Sequence, residues 1–377
     1  PCGGREAGGG GGPRAAPPPP WGGGPAAGQR GAARPLYPTE LIGSYALPSW
    51  LIALEERAAS AGDLGEADIG EALDDAVNVA LFDQERAGVD VVTDGEMRRR
   101  DFIQGFYGRL TGLMQLRPAR RLGAAGYDQN PGCGVEGAVR AAEGLGIVEE
   151  VAYLSRHTAR PFKVCVPGPV TLSLPLLLPD GGIGRDAVLA DMIDIVNAEM
   201  RALVTAGATY LQIDEPRYAT SHAAGSELVD VLNATRDGVR ARVGVHLCFG
   251  NFRGRSRDRR DYRYLFPALA RARCDQLNFE FANREQAQLE LLARVPEPMD
   301  VGVGVVDVKS YFVEDAEEVA AALEQAARHV DAARIVAVPD CGFNHCPRHI
   351  ARAKLQALTG GARLARQRSS GGAGGDT

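Results

Sequence analysis

Nowhere in its 377 residues does the chain hold the roughly 20 consecutive apolar residues that a membrane helix needs, so it is not expected to cross a bilayer. A basic excess is missing too. The 42 Lys and Arg residues stand against 48 Asp and Glu, a formal net charge of −6. Without aromatics interleaved among a basic stripe, a nucleic-acid partner is not expected. The only basic concentration, Arg253 to Arg263, reads as a solvated loop, with a seat for an anionic substrate tail as the sharper alternative. Cysteine is sparse and odd in number, seven in all, which does not make a secreted disulfide framework and points to a reducing, cytoplasmic setting. There is no Ser-His-Asp order and no phosphate loop. Gly302-Val303-Gly304 is not a dinucleotide fingerprint, because its glycines sit inside a strand and no Gly-rich turn opens a helix.

What remains, with 45% hydrophobic residues, is a chain with material for a large core. It opens on proline rather than a natural start. Residues 1–36 are a Gly, Pro, Ala and Arg tract that cannot bury enough apolar surface to fold and reads as a disordered tail. An organelle transit peptide is the alternative, and the absence of serine there counts against it. Residues 37–366 form the expected single domain, and 367–377 a flexible tail.

Within that domain, short Val/Ile-rich runs alternate with segments of helical period. Eight strands are expected: Leu41–Tyr45, Val89–Asp94, Phe162–Pro167, Thr209–Glu215, Val243–Phe249, Cys274–Glu280, Asp300–Val306 and Arg334–Asp340. Amphipathic helices are expected over Asp191–Ala206 and Glu314–Val330. Consecutive apolar positions in the strands suit a sheet covered on both faces, and eight strand-plus-helix units suit a (β/α)8 TIM barrel, with a doubly wound open sheet as the runner-up. The Gly- and Arg-rich stretch 117–146 breaks the rhythm as a long excursion after the second unit.

The chemically capable side chains cluster at strand ends, where this barrel places its active site. His246 and Cys248 share one face of a strand, so both can reach one metal ion. Glu280 and Cys341 end later strands. A His, Glu and two-Cys set suits zinc, with a weakly held carboxylate that can give way to a substrate. A lone His-x-Cys would more often be buried packing than a ligand pair; four zinc-type ligands at one rim carry more weight. His345 and Cys346 are rivals to Cys341, set aside because they fall past the strand end. Cys2, Cys133, Cys165 and Cys274 read as incidental or core. The acidic pairs Asp94/Glu96 and Asp214/Glu215 read equally as helix caps or as a seat for an ammonium group.

Motifs in order now resemble a family: ELIGSYALPSWL, GVDVVTDGEMRRRDF, VCVPGPVTLS, YLQIDEPRYA, VHLCFGNF, CDQLNFEFAN, VGVGVVDVKS and VPDCGFNHCPR. The chain resembles the short, single-barrel members of the cobalamin-independent methionine synthase family. That resemblance implies a zinc ion held by His246, Cys248, Glu280 and Cys341, and methyl transfer to the thiol of homocysteine to form methionine. It implies that Ile42, Gly43 and Ser44 bind the amino acid, with Glu96 and Asp214 on its amino group. Full-length members carry a second, N-terminal barrel that helps hold folate. They also have a histidine after the seventh strand, where this chain has Lys309; Asp214 and Lys309 are therefore the catalytic candidates. The implied methyl donor is 5-methyltetrahydrofolate, a methylcorrinoid or another carrier, with a separate donor protein as one route. A coenzyme M-type alkyltransferase acting on another thiol and a metal-free decarboxylase-like barrel are the alternatives, together with a non-catalytic barrel merely stapled by its metal.

Overall fold

In the computed structural model the described residues are 34–61, 64–99, 101–117, 132–220, 225–251 and 260–371. The Gly/Pro tract up to residue 33 and positions 252–259 of the basic segment lie outside them. Eight strands carry names. An antiparallel pair joins β1 (Thr111–Gln115), just before the 117–146 excursion, to β2 (Cys133–Arg140) within it. The other six form a parallel sheet in chain order: β3 (Val164–Pro167), β4 (Tyr210–Asp214), β5 (Arg242–Leu247), β6 (Gln276–Phe279), β7 (Asp300–Val306) and β8 (Ile335–Pro339).

The sheet closes through single-residue bridges. Thr39 pairs with Ala337 of β8, Glu40 with Val91, and Val92 with Phe162, all parallel. The architecture is a TIM barrel whose first two staves are reduced to these contacts. The first pairing thus falls just before Leu41–Tyr45, the segment expected as a strand. The reason is tertiary: the Ile42 carbonyl accepts from the side chains of Gln212 and Cys165, and the Gly43 carbonyl from Thr93 Oγ1. Side chains take acceptors that a ladder would use, and the segment becomes a loop at the rim.

Along each strand, alternate residues leave the barrel and pack on helices. Leu211, Ile213, Val243, Val245, Leu277, Val301, Val303 and Ile335 join the main core with Met192, Val196, Met200 and Leu203 of the helix Arg185–Thr205 and Val319 and Leu323 of the helix Ala316–Ala326. Each such side chain contributes roughly 1.5–3 kcal/mol by leaving water. The second helix starts on a capping box, in which Asp315 accepts from Glu318 N while Asp315 N donates to the Glu318 carboxylate.

The inward set is unlike the apolar layers usual in this fold. Glu40, Lys163, Gln212, Gln276 and Asn278 are buried there and hydrogen-bonded to one another. Gly302 makes room for them, since a Cβ there would lie 1.8 Å from Asn278 Oδ1.

The last helix, Arg348–Gly371, runs beyond residue 366, where a flexible tail was expected. Its Arg- and Ser-rich end looks like solvated coil. Instead, Arg368 near the helix C-terminus complements the helix dipole and reaches Glu317 at 2.5 Å and Glu324 at 3.3 Å on the neighbouring helix.

Candidate functional site

β5 delivers His246 near its end and Cys248 just beyond, and β8 is followed by Asp340 and Cys341. The ligand atoms of His246, Cys248 and Cys341 all lie within 4.8 Å of one another. The two sulfurs are 3.8 Å apart. Two thiolates on one tetrahedral zinc, each about 2.3 Å from it, stand about 3.8 Å from each other. His246 is oriented from behind: its Nδ1 lies 3.2 Å from Asp214 Oδ1, while its Nε2, the nitrogen that could turn to a metal, lies 3.4 Å from Asp340 O. Burial works against its protonation, yet the hydrogen bond to Asp214 and the nearby Cys341 raise its pKa above the ordinary value.

The two thiols differ. The Cys248–Cys341 hydrogen bond holds the Cys341 pKa down and pushes Cys248 up, with burial adding to the second effect. One sulfur is therefore poised as thiolate before any cation arrives.

Glu280 is not one of the three convergent ligands. Its Oε1 receives Lys309 Nζ at 2.5 Å and its Oε2 receives Phe249 N at 3.0 Å, with Arg260 Nη1 3.9 Å away. Lys309 is thus not the solvated rim lysine its position suggests: its side chain is 3% exposed and its charge is directed at Glu280. Burial disfavours that charge, but the Glu280 carboxylate outweighs it and raises the Lys309 pKa. Asp340 ties the two strand ends together, its carboxylate accepting from Phe281 N, Ala282 N and Asn283 N. Of the rival ligands, the Cys346 thiol donates to Val308 O at 3.1 Å, and His345 is among the residues that line the site's pocket.

The trio opens into a pocket of about 280 Å³. Ile42, Gly43, Ser44, Glu96 and Asp214 line the same pocket; Glu280 and Lys309 do not. Close approach is built from glycine. A Cβ on Gly342 would meet Ser44 Oγ at 1.9 Å, and one on Gly43 would meet Glu96 Oε1 at 2.6 Å. Glu96 itself has a φ of 57°, a left-handed conformation costly for a side chain of this kind and common where function requires it. Burial raises its pKa to about 8 despite Arg99, with Asp214 and Asp94 adding to the rise. The Glu96 carboxyl, the Asp214 carboxyl and the Cys165 thiol lie within 4.8 Å of one another, and the two carboxyls are the groups suited to a cation, since the thiol donates to Ile42 O. Glu215 belongs elsewhere: it accepts from Val170 N, Thr171 N and Thr171 Oγ1, fastening the turn after β3.

Several contributors were not singled out from the sequence. Arg99 binds Glu96 at 3.0 Å and Glu150 at 2.7 Å, and only the run of arginines after Glu96 could have hinted at it. Cys165, read as incidental, sits beside Glu96. Phe102, Ile103, Arg217, Asn251 and Asn344 line the pocket without any strand-end signal.

A family model described as "Cobalamin-independent synthase, Catalytic domain" matches residues 37–363. The chain belongs to this family. It is 32% identical to a methionine synthase of Sulfurisphaera tokodaii over 333 residues, covering 88% of this chain and 94% of the relative. A methionine synthase of Saccharolobus solfataricus is also 32% identical, over 88% of this chain and 96% of its own length. Among solved structures, a B12-independent methionine synthase from Shewanella sp. W3-18-1 in complex with selenomethionine superposes with a TM-score of 0.77 at 28% identity, covering 89% of this chain and 99% of that one. A methyltransferase from Methanosarcina mazei shares the fold, with a TM-score of 0.55 at 14% identity over 89% of this chain and 94% of its own.

Proposed function

We propose that this chain methylates the thiol of homocysteine to give methionine, using a zinc ion held by His246, Cys248 and Cys341. The observation that carries the reading is the shared pocket, in which a metal-type trio and a buried carboxylate pair face one amino-acid-sized space. The methionine synthase relatives and the Shewanella protein solved with selenomethionine support it. Zinc bound there would supply a thiol held as its thiolate, the nucleophilic form.

This chain's own residues perform the rest. Glu96 and Asp214 seat the substrate ammonium, and Ser44 with its flanking backbone orients the amino-acid end. Fixing both ends aims the sulfur at the donor's methyl group, the positional part of the rate enhancement. As the new S–CH3 bond forms, the donor–CH3 bond breaks, its electron pair leaves with the donor and the thiol proton is released. Lys309 serves by holding Glu280, which as a fourth ligand would have to exchange its ammonium partner for the metal. The donor we favour is a methyltetrahydrofolate.

A carboxylate-lined pocket favours an amino-acid thiol over a sulfonate thiol such as coenzyme M, and the His-Cys-Cys trio argues against a metal-free decarboxylase. The test is methionine formation by zinc-loaded protein from homocysteine, with 5-methyltetrahydrofolate and a methylcorrinoid supplied separately and coenzyme M as the competing thiol. Methylation of coenzyme M in preference to homocysteine overturns the substrate assignment.

A further inference from the structure

One step below the trio, inside the barrel, Gln212 joins three parts of the site and is fully buried. Its Oε1 accepts from Lys163 Nζ at 2.7 Å and from Asn278 Nδ2 at 3.0 Å. An ammonium only donates, so the carbonyl end of the Gln212 amide must face Lys163. Asn278 is oriented in the same way, because its Oδ1 accepts from Gln276 Nε2 at 2.7 Å. The NH2 end of Gln212 is therefore turned toward acceptors. Nε2 donates to Asp214 Oδ1 at 2.8 Å and to Ile42 O at 2.6 Å.

Each acceptor belongs to a different function. Asp214 Oδ1 is the atom that faces His246 Nδ1 at 3.2 Å. Ile42 O begins the loop that carries Gly43 and Ser44 into the pocket. On the other side Lys163 is anchored by Glu40 at 3.1 Å, a pair sealed from solvent. A buried ion pair thus sets the direction of one amide, which sets a carboxylate, which sets the imidazole.

We propose that Gln212 is the positioning residue of this site, holding Asp214 in register with His246 and fixing the Ile42–Ser44 loop over the same pocket. The inference rests on the zinc reading above. Outer partners of metal-binding histidines are typically worth about 10–100-fold in metal affinity, and Gln212 acts on such a partner.

Two variants separate positioning from packing. Gln212→Glu keeps an acceptor for Lys163 and removes the donor to Asp214 and Ile42; Gln212→Met removes both at similar size. Tyr210→Phe is the control, since Tyr210 Oη donates to Glu40 Oε2 at 3.0 Å in the same network without touching Asp214. Zinc affinity would be measured by competition with a chromophoric chelator, homocysteine binding by titration at saturating zinc, and the unfolding midpoint on metal-free protein. Both Gln212 variants should lose about 10–100-fold in zinc affinity and bind homocysteine more weakly, while Tyr210→Phe keeps wild-type zinc affinity whatever its midpoint. Wild-type zinc affinity in both Gln212 variants overturns the inference, as does a loss that tracks the unfolding midpoint in all three variants. Failure of both Gln212 variants to fold assigns the residue to barrel assembly and overturns it too. Wild-type protein that binds no zinc overturns the zinc reading and this inference with it, whereas zinc binding indifferent to Gln212 sinks the inference alone.

Discussion

Cys248 follows β5 two residues after His246, and Cys341 follows β8, 93 positions further along the chain, yet their sulfurs stand 3.8 Å from each other. No disulfide joins them. Two thiols at the edge spacing of a tetrahedral zinc, beside an imidazole oriented by a carboxylate, make a candidate cation site.

That arrangement predicts the metal's dependence on individual cysteines. Cys248→Ala and Cys341→Ala should each abolish near-stoichiometric zinc binding, measured by metal analysis after dialysis. Cys346→Ala should retain it, because the Cys346 thiol is spent on Val308 O. Zinc content surviving either of the first two substitutions would reassign the ligands.

Glu96→Gln and Asp214→Asn should differ from each other. Each removes a charged hydrogen-bond partner of the substrate ammonium and should cost about 1.5–3 kcal/mol of homocysteine binding. Only Asp214 also touches His246, so Asp214→Asn should lower zinc affinity as well, while Glu96→Gln leaves it intact. Equal zinc affinities in the two variants would contradict this division of labour.

The pKa of Glu96 predicts a pH dependence. Burial raises it to about 8, so the metal-free, substrate-free protein holds this carboxyl protonated below that pH. An ammonium needs the ionised form, and binding therefore expels the proton. Homocysteine affinity should rise as pH increases toward about 8. In Glu96→Gln that rise should be shallower, keeping only the part that comes from release of the thiol proton, when followed by titration calorimetry across the same range.

Lys309→Met should destabilise the metal-free protein by about 3–5 kcal/mol, the usual cost of removing one partner from a buried pair, because Glu280 has no exposure with which to recover water. Zinc should restore part of the loss by giving Glu280 a cation. Urea unfolding with and without zinc reads both effects; a loss that zinc leaves unchanged would place Glu280 away from the metal.

Much of this was legible in the sequence because barrel chemistry is indexed to strand ends. The Val/Ile-rich apolar runs locate β3 to β8, and His246, Cys248 and Cys341 at or just past the strand ends follow from those locations. Leu41–Tyr45 misleads because its apolar residues match a strand, while the hydrogen bonds that make it a loop come from Gln212, Cys165 and Thr93 far along the chain. Lys309 misleads for a related reason: its place after the seventh strand makes it a catalytic candidate, while in the fold its ammonium is bound to the buried Glu280. The polar barrel interior went unread because Gln212, Gln276 and Asn278, though inside YLQIDEPRYA and CDQLNFEFAN, show their role only through mutual satisfaction in three dimensions.

The most direct test of the account is zinc K-edge absorption on the loaded protein before and after homocysteine is added. We predict two sulfur neighbours at about 2.3 Å in the resting protein, from Cys248 and Cys341, and three once homocysteine binds. A sulfur count that stays at two in the presence of saturating homocysteine would contradict thiol activation at this metal.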